Sequence, residues 1–339
     1  MNHAIAGLKN KEMMKEINIA DINGFLLGHA ENPGGGTGVT VILCDKGDGE
    51  GVCASVDIRG GGPASRETPV LEPEAAGEAV NAIVLSGGSA FGLEAACGVS
   101  DYLYEKGIGF DTGFAKVPIV CGSSLYDLAV GDVVWPDKSM GRAACLRAEK
   151  GDDRRGNVGA GTGATAGKLR GVAGAMKSGI ASYALQVGEF KIGAVVAANP
   201  LGDIVDPGTG KIIAGLLDDD GCFLGSEKEI AKMITPENLW VKDHQNTTIG
   251  AVLCNGDFSK RDLKRIAMMA HDGIARAIRP VHTTADGDSL YAAATGDVKA
   301  DVNAAGALAA TCVAGAIVRA ALDAEDAYGF RASATVDDE

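Results

Sequence analysis

The sequence predicts a mixed α/β fold of the α+β kind, and three observations carry that expectation. Between residues 25 and 58, β-rich segments alternate with turn-forming runs of Gly, Asn, Asp and Pro. From residue 81 to 109 an apolar strand passes through glycines directly into a helical pattern. Toward the C-terminus lie two long helical patterns, one amphipathic and one built largely of Ala and Gly. With 339 residues, 46% of them hydrophobic and 22% charged, the chain can bury a large core as one big domain or two intimate ones.

Taken in order, FLLGHAE (25–31), GVTVILC (38–44) and GVCASVDI (51–58) read as a meander opening a sheet, separated by NPGGGT and DKGDGE. NAIVLSGG (81–88) reads as a further strand. Ser89 then offers an N-cap to a helix on which Leu93, Ala96, Cys97, Val99 and Leu103 recur near helical spacing, until Gly107 stops it. KIGAVVAANPLGDIVD (191–206) is a buried strand broken at Asn199 and Pro200. The charged stretch LGSEKEIAKMITPENLWVKDHQ (224–245), with a short helix over EKEIAKMI, reads as an exposed segment leading to the strand TTIGAVLC (247–254). Ser259 caps the next helix, which turns Leu263, Ile266, Ala267, Ala270, Ile274 and Ile278 to one face and ends at Arg279 and Pro280. The strand SLYAAAT (289–295) and the small-residue helix at 303–322 complete the pattern, and no internal repeat is evident.

Charge and composition exclude some function classes. A formal net charge of -14 leaves no broad basic surface, which argues against nucleic acid and anionic membranes as partners and for a small-molecule or peptide partner. The N-terminal run MNHAIAGLKNKEMMKE has no sustained apolar region, and the apolar run at 308–318 is shorter than the ~18 residues a membrane span needs, so a cytoplasmic location is expected. The eight cysteines are scattered through apolar settings with no CxxC pair and read as small buried hydrophobes. Five histidines without HxxxH or HxH spacing predict no metal site, and no cofactor is expected.

Four glycine-bearing motifs recur: VDIRGGGPASRET (56–68), VLSGGSAFGLEAACGV (84–99), GNVGAGTGATAGK (156–168) and NTTIG (246–250). None is a phosphate-binding Walker loop, since Leu169 stands where Ser or Thr would follow Lys168; GAGTGATAG lacks the apolar strand that precedes a dinucleotide fingerprint. Together and in this order the motifs resemble the self-cleaving L-aminopeptidase/D-amidase/esterase family, which includes β-peptidyl aminopeptidases and 6-aminohexanoate-oligomer (nylon-oligomer) endo-hydrolases. The resemblance spans nearly the whole chain. It implies a single domain over residues 1–339, a four-layer αββα sandwich like that of N-terminal nucleophile hydrolases, and cleavage before a Ser or Thr into fragments that stay together.

The nylon-oligomer branch has threonine preceded by asparagine, and NTTI matches that version. The resemblance therefore implies Thr247 as nucleophile, Asn246-Thr247 as the self-cleaved bond, and fragments 1–246 and 247–339. The chemistry suits the residue type: a threonine hydroxyl is a weak nucleophile, but an N-terminal threonine carries its own base, an α-amine of pKa ~7.7–8.0. By the same resemblance Lys168 holds the hydroxyl and favours the neutral amine, and Asn199 donates to the oxyanion. Asp286 and Asp288 orient Lys168 and the Thr247 ammonium, and Tyr126 lies near the site. Read bare, Lys168 is also compatible with a surface lysine after a glycine turn, Asn199 with an Asn-Pro turn, Asp286 and Asp288 with a turn, and Tyr126 with core packing. His282 reads as a structural histidine.

The activity so implied is hydrolysis of amide bonds in small peptides, amino-acid amides or 6-aminohexanoate oligomers through an acyl-enzyme, by a homotetramer of cleaved protomers. The serine nucleophile and the substrate-amine carboxylate of the aminopeptidase members are not identifiable in this sequence. An acyltransferase of the ornithine-acetyltransferase kind and an uncleaved, non-catalytic relative are the alternatives. The set Lys168, Asn199, Thr247, Asp286 and Asp288 counts against the second.

Overall fold

A computed structural model describes residues 14–77, 79–234 and 246–333. The N-terminal run through residue 13 and the 235–245 part of the charged segment lie outside the described residues. Strands β1 (Lys15–Ile17), β2 (Phe25–Asn32), β3 (Thr37–Cys44), β4 (Val52–Ile58), β5 (Ala64–Arg66), β6 (Ala79–Val80), β7 (Ala82–Ser86), β8 (Val120–Ser124), β9 (Ile180–Val187), β10 (Phe190–Asn199), β11 (Thr247–Gly256) and β12 (Ser289–Val298) form two sheets. The larger runs β1-β9-β10-β11-β12-β4-β6 and the smaller β2-β3-β7-β8-β5. Helices α1 (Ala95–Glu105) and α2 (Lys138–Ala148) cover the smaller sheet; α4 (Lys260–Ala277) and α5 (Val302–Leu322) cover the larger. A short helix α3 (Ser226–Ala231) begins the charged segment.

The core is layered accordingly. Along β10, Ile192, Ala194, Val196 and Ala198 face α4 and α5, whereas Val195 and Ala197 face the other sheet. In β11 the alternation continues, with Val252 and Cys254 toward the helices and Ile249, Ala251 and Leu253 between the sheets. Strands buried on both faces must be apolar at both parities, which is why these segments read as unbroken hydrophobic runs. Residues Val39, Val41 and Leu43 of β3 meet Ala96, Val99 and Ala144 in a third layer of contacts. The result is the four-layer αββα sandwich.

Helix ends follow local chemistry. Ser259 accepts from the Asp262 N–H while the Asp262 carboxylate accepts from the Ser259 N–H, a reciprocal cap that starts α4. Leu263, Ile266, Ala267, Ala270 and Ile274 are buried on its inner face. Ile278 lies just past the helix, in a short strand with Arg279. Ser89 does not cap a helix: it has φ 54° and opens a 3-10 turn, Ser89–Glu94, with α1 following from Ala95. The meander expectation also changes, because β2 and β3 pair in the smaller sheet whereas β4 joins the larger one beside β12. Alternation along β4 specifies two faces but not which sheet supplies its neighbours.

The 308–318 run sits inside α5, a helix of 21 residues that is long and apolar enough by length and composition to cross a membrane. Most of it is buried here against α4, β9 and β10, as the core helix of the sandwich. Five of the eight cysteines are buried, Cys53 and Cys97 are partly so, and Cys222 is exposed.

Candidate active site

Thr247 is the first residue of β11, and its register partner across the antiparallel pair is Asn199, the last residue of β10. Both are buried, and the break at Asn199-Pro200 ends β10 where β11 begins. The Thr247 hydroxyl donates to the carbonyl oxygen of Asn246, the residue preceding it. That same oxygen accepts from the backbone N–H of Gly287 at 3.0 Å. The hydroxyl therefore lies against the Asn246-Thr247 peptide bond.

Asn199 is held on both ends of its amide. Its Oδ1 accepts from the Thr165 N–H at 3.0 Å and from Lys168 Nζ at 3.0 Å, while its Nδ2 donates to the Tyr126 carbonyl at 2.9 Å. Donors on one side and a carbonyl on the other fix which end is oxygen. Lys168 Nζ also donates to the carbonyls of Thr165, Asn199 and Pro200. Among the described residues none of its hydrogen bonds goes to Thr247; it grips Asn199 in place of the expected hydroxyl. Burial drives the Lys168 amine well below the ordinary lysine value, against the pull of Asp286. Tyr126 enters through its backbone, with a half-buried side chain.

The acidic pair lies in the loop entering β12, and both side chains are buried. Asp286 accepts from the Thr283 N–H at 2.9 Å and its hydroxyl at 2.5 Å, and from the Leu201 N–H at 3.3 Å. Burial, then repulsion from Asp288, pushes the Asp286 carboxyl up to about 6. Asp288 accepts from the Thr248 N–H at 2.8 Å and pairs with His282 Nδ1 at 2.7 Å. Thus Asp288 grips β11 one residue past Thr247, and the charge of Asp286 acts on Lys168. The glycines of RGGGP explain how this loop is held. The Arg59 and Gly62 N–H groups donate to the Asp288 and Asp286 carbonyls at 2.9 Å each, and a side chain on Gly60 would collide with the Asp288 nitrogen at 2.3 Å.

The family model described as peptidase family S58 matches residues 18–335. The chain belongs to peptidase family S58. An uncharacterised aminopeptidase of Mycobacterium tuberculosis (strain ATCC 25618 / H37Rv) is 37% identical over 92% of this chain and 95% of its own length. A 6-aminohexanoate-oligomer endohydrolase of Paenarthrobacter ureafaciens is 34% identical over 82% of this chain and 75% of its own. Among solved structures, a Burkholderia sp. β-aminopeptidase superposes with TM-score 0.68 at 20% identity, covering 93% of this chain and 89% of that one. An L-aminopeptidase D-Ala-esterase/amidase of Ochrobactrum anthropi, described as a variant of the Ntn hydrolase fold, gives TM-score 0.65 at 20% identity over 91% and 87%. These superpositions establish the shared fold, and family membership makes this chain a hydrolase of amide bonds.

The candidate site of this S58 hydrolase also contains residues that sequence reading passes over. Lys177 is fully buried, donates to the carbonyls of Gly161 and Ala164 at 3.1 and 2.9 Å and to that of Ser178, and is lowered by burial to about 7. Its charge partner Asp127, next to Tyr126, is pushed up by burial to about 6 and accepts from the Thr37 hydroxyl and the Gly88 N–H. Lys177 thus braces the loop that carries Thr165 and Lys168, and its charge further lowers Lys168. In MKSGIASY nothing marks that lysine as buried. His282, read as structural, closes on Asp288 from a left-handed φ of 56°, its ring edge-on to His271 at 4.9 Å.

Proposed function

We propose that this S58 hydrolase cuts its own Asn246-Thr247 bond, giving fragments 1–246 and 247–339 that stay together. In the mature enzyme Thr247 then attacks the carbonyl of a small peptide, amino-acid amide or 6-aminohexanoate oligomer. The Thr247 α-amine takes the hydroxyl proton and passes it to the leaving amine, the Asn199 amide donates to the oxyanion, and water releases the acid from the acyl-enzyme. Lys168 holds Asn199 in place, and Asp286 and Asp288 orient Lys168 and the head of β11. The observation that carries the reading is the buried Thr247 hydroxyl lying against the Asn246 carbonyl, in register with Asn199. The β10–β11 and β12–β4 pairings, each joining one fragment to the other, would keep both together after the cut. Cytoplasmic homotetramers of cleaved protomers complete the proposal.

Intact mass and N-terminal sequencing of purified protein test the cut. A panel of amino-acid amides, p-nitroanilides, β-alanyl peptides and linear 6-aminohexanoate oligomers tests the reaction. Two co-purifying fragments, the second beginning Thr-Thr-Ile, with turnover of at least one amide class are expected. A single uncut chain that is fully active would overturn the reading.

A further inference from the structure

We infer that the backbone N–H of Gly287 is the oxyanion donor for self-cleavage, a role separate from that of the Asn199 amide. The inference rests on the self-cleavage proposed above. When Thr247 Oγ1 adds to the Asn246 carbonyl carbon, the negative charge develops on the Asn246 oxygen. Gly287 N already lies 3.0 Å from that oxygen, the distance a preorganised donor needs. Among the described residues the other donor to it is the attacking hydroxyl itself. The proton leaves Oγ1 and ends on the Thr247 nitrogen as the Asn246–Thr247 C–N bond breaks. The product is an ester between the Asn246 carbonyl carbon and Thr247 Oγ1. Water then adds to that ester, giving the Asn246 carboxylate and a free hydroxyl beside a free amine.

Asn199 is committed elsewhere in this uncut arrangement. One N–H of its amide goes to Tyr126, its oxygen serves Thr165 and Lys168, and none of its side-chain hydrogen bonds reaches Asn246. Gly287, by contrast, is fixed on both sides. Asp286 is held by Thr283 and Leu201, Asp288 by Thr248 and His282, and the flanking carbonyls by the glycines of the RGGGP turn. A donor fixed in this way loses no reorganisation energy when the charge appears. The identity of the residue follows from the same closeness: a Cβ at position 287 would stand 2.8 Å from Thr247 Oγ1 and 2.8 Å from the Gly62 carbonyl oxygen. Glycine lets the backbone approach the scissile bond closely enough for its N–H to act.

The test replaces the N–H alone. Cell-free translation with glycolic acid at position 287 converts that amide to an ester and leaves no side chain. Self-cleavage of this chain should be slower than that of the all-amide chain by about 10² to 10³, the usual cost of one oxyanion donor. In the uncut Thr247→Ala background the ester chain should still fold and should melt only a few degrees below the amide chain, roughly the cost of one lost hydrogen bond. Cleavage within threefold of the all-amide rate would overturn the inference while leaving self-cleavage standing. An all-amide chain that never cuts would overturn both, so the two failures are distinguishable. A second measurement does not depend on the ester folding: Thr247→Ala precursor labelled with 15N-Gly and 13C-Asn should show scalar coupling between Gly287 N and the Asn246 carbonyl carbon. Its absence in the folded precursor would also overturn the assignment.

Discussion

Asn199 and Thr247 are direct register partners across β10 and β11, although 48 positions separate them in the chain. One ends its strand and the other begins its own, so the pleat brings an amide and a hydroxyl to the same sheet end. Lys168, Tyr126 and Thr165 all bind Asn199, and Asp288 and Gly287 hold the neighbours of Thr247. The site is thus two clamps, one on each strand end.

Removing the hydroxyl separates folding from chemistry. Thr247→Ala should give a folded, uncut and inactive chain, because Thr247 contributes little apolar surface but supplies the attacking oxygen. Thr247→Ser should still be cut and retain activity. Denaturing gels, intact mass and amide turnover check both, and an active Thr247→Ala protein would exclude Thr247 as nucleophile.

Asn199→Asp keeps an acceptor for Lys168 and Thr165 but removes the amide donor. The mature variant should lose about 10² to 10³ in kcat with a much smaller change in KM, the pattern for a contact made in the transition state. Steady-state kinetics on the best substrate would show it. An unchanged kcat would remove Asn199 from the oxyanion site.

The pH profile should carry the signature of Asp286. Its carboxyl, raised to about 6 by burial and by Asp288, is protonated below that pH and then no longer balances Lys168. Activity should fall as pH drops through about 6. Asp286→Asn should be less active and lose the inflection near 6, keeping the fall that protonation of the Thr247 α-amine causes. A profile of kcat/KM between pH 5 and 9 decides it, and an unchanged inflection near 6 in the variant would assign that titration elsewhere.

Stability should depend on pH through His29. Its ring is buried, Nδ1 contacts the Thr40 hydroxyl at 2.9 Å, and burial lowers it from 6.5 to about 4. Between those values the unfolded chain takes up a proton that the folded chain refuses. Stability is therefore lost as pH falls from 6.5 toward 4, by on the order of 3 kcal/mol for this residue. Urea unfolding at pH 7.5 and pH 5 should show a smaller pH effect in His29→Gln than in the parent chain. Equal pH effects in the two chains would mean that His29 does not carry this dependence.

The sequence by itself determined the parts that depend on near neighbours. The unbroken apolar runs of β10, β11 and β12, the Ser259 cap and the break at Asn199-Pro200 are all local chemistry, readable within a few residues. Family motifs added Lys168, Asp286 and Asp288, whose side chains the fold buries. Tertiary structure alone decided that β4 crosses to the larger sheet, that Tyr126 enters through its carbonyl, and that Lys177 and Asp127 lie buried beside the site. It also decided that the RGGGP turn braces the acidic loop and aims the Gly287 N–H at the Asn246 carbonyl. The reason is physical: apolar runs and caps are set by residues a few places apart, whereas burial, charge pairing and the direction of a backbone dipole depend on groups that meet only when distant segments pack.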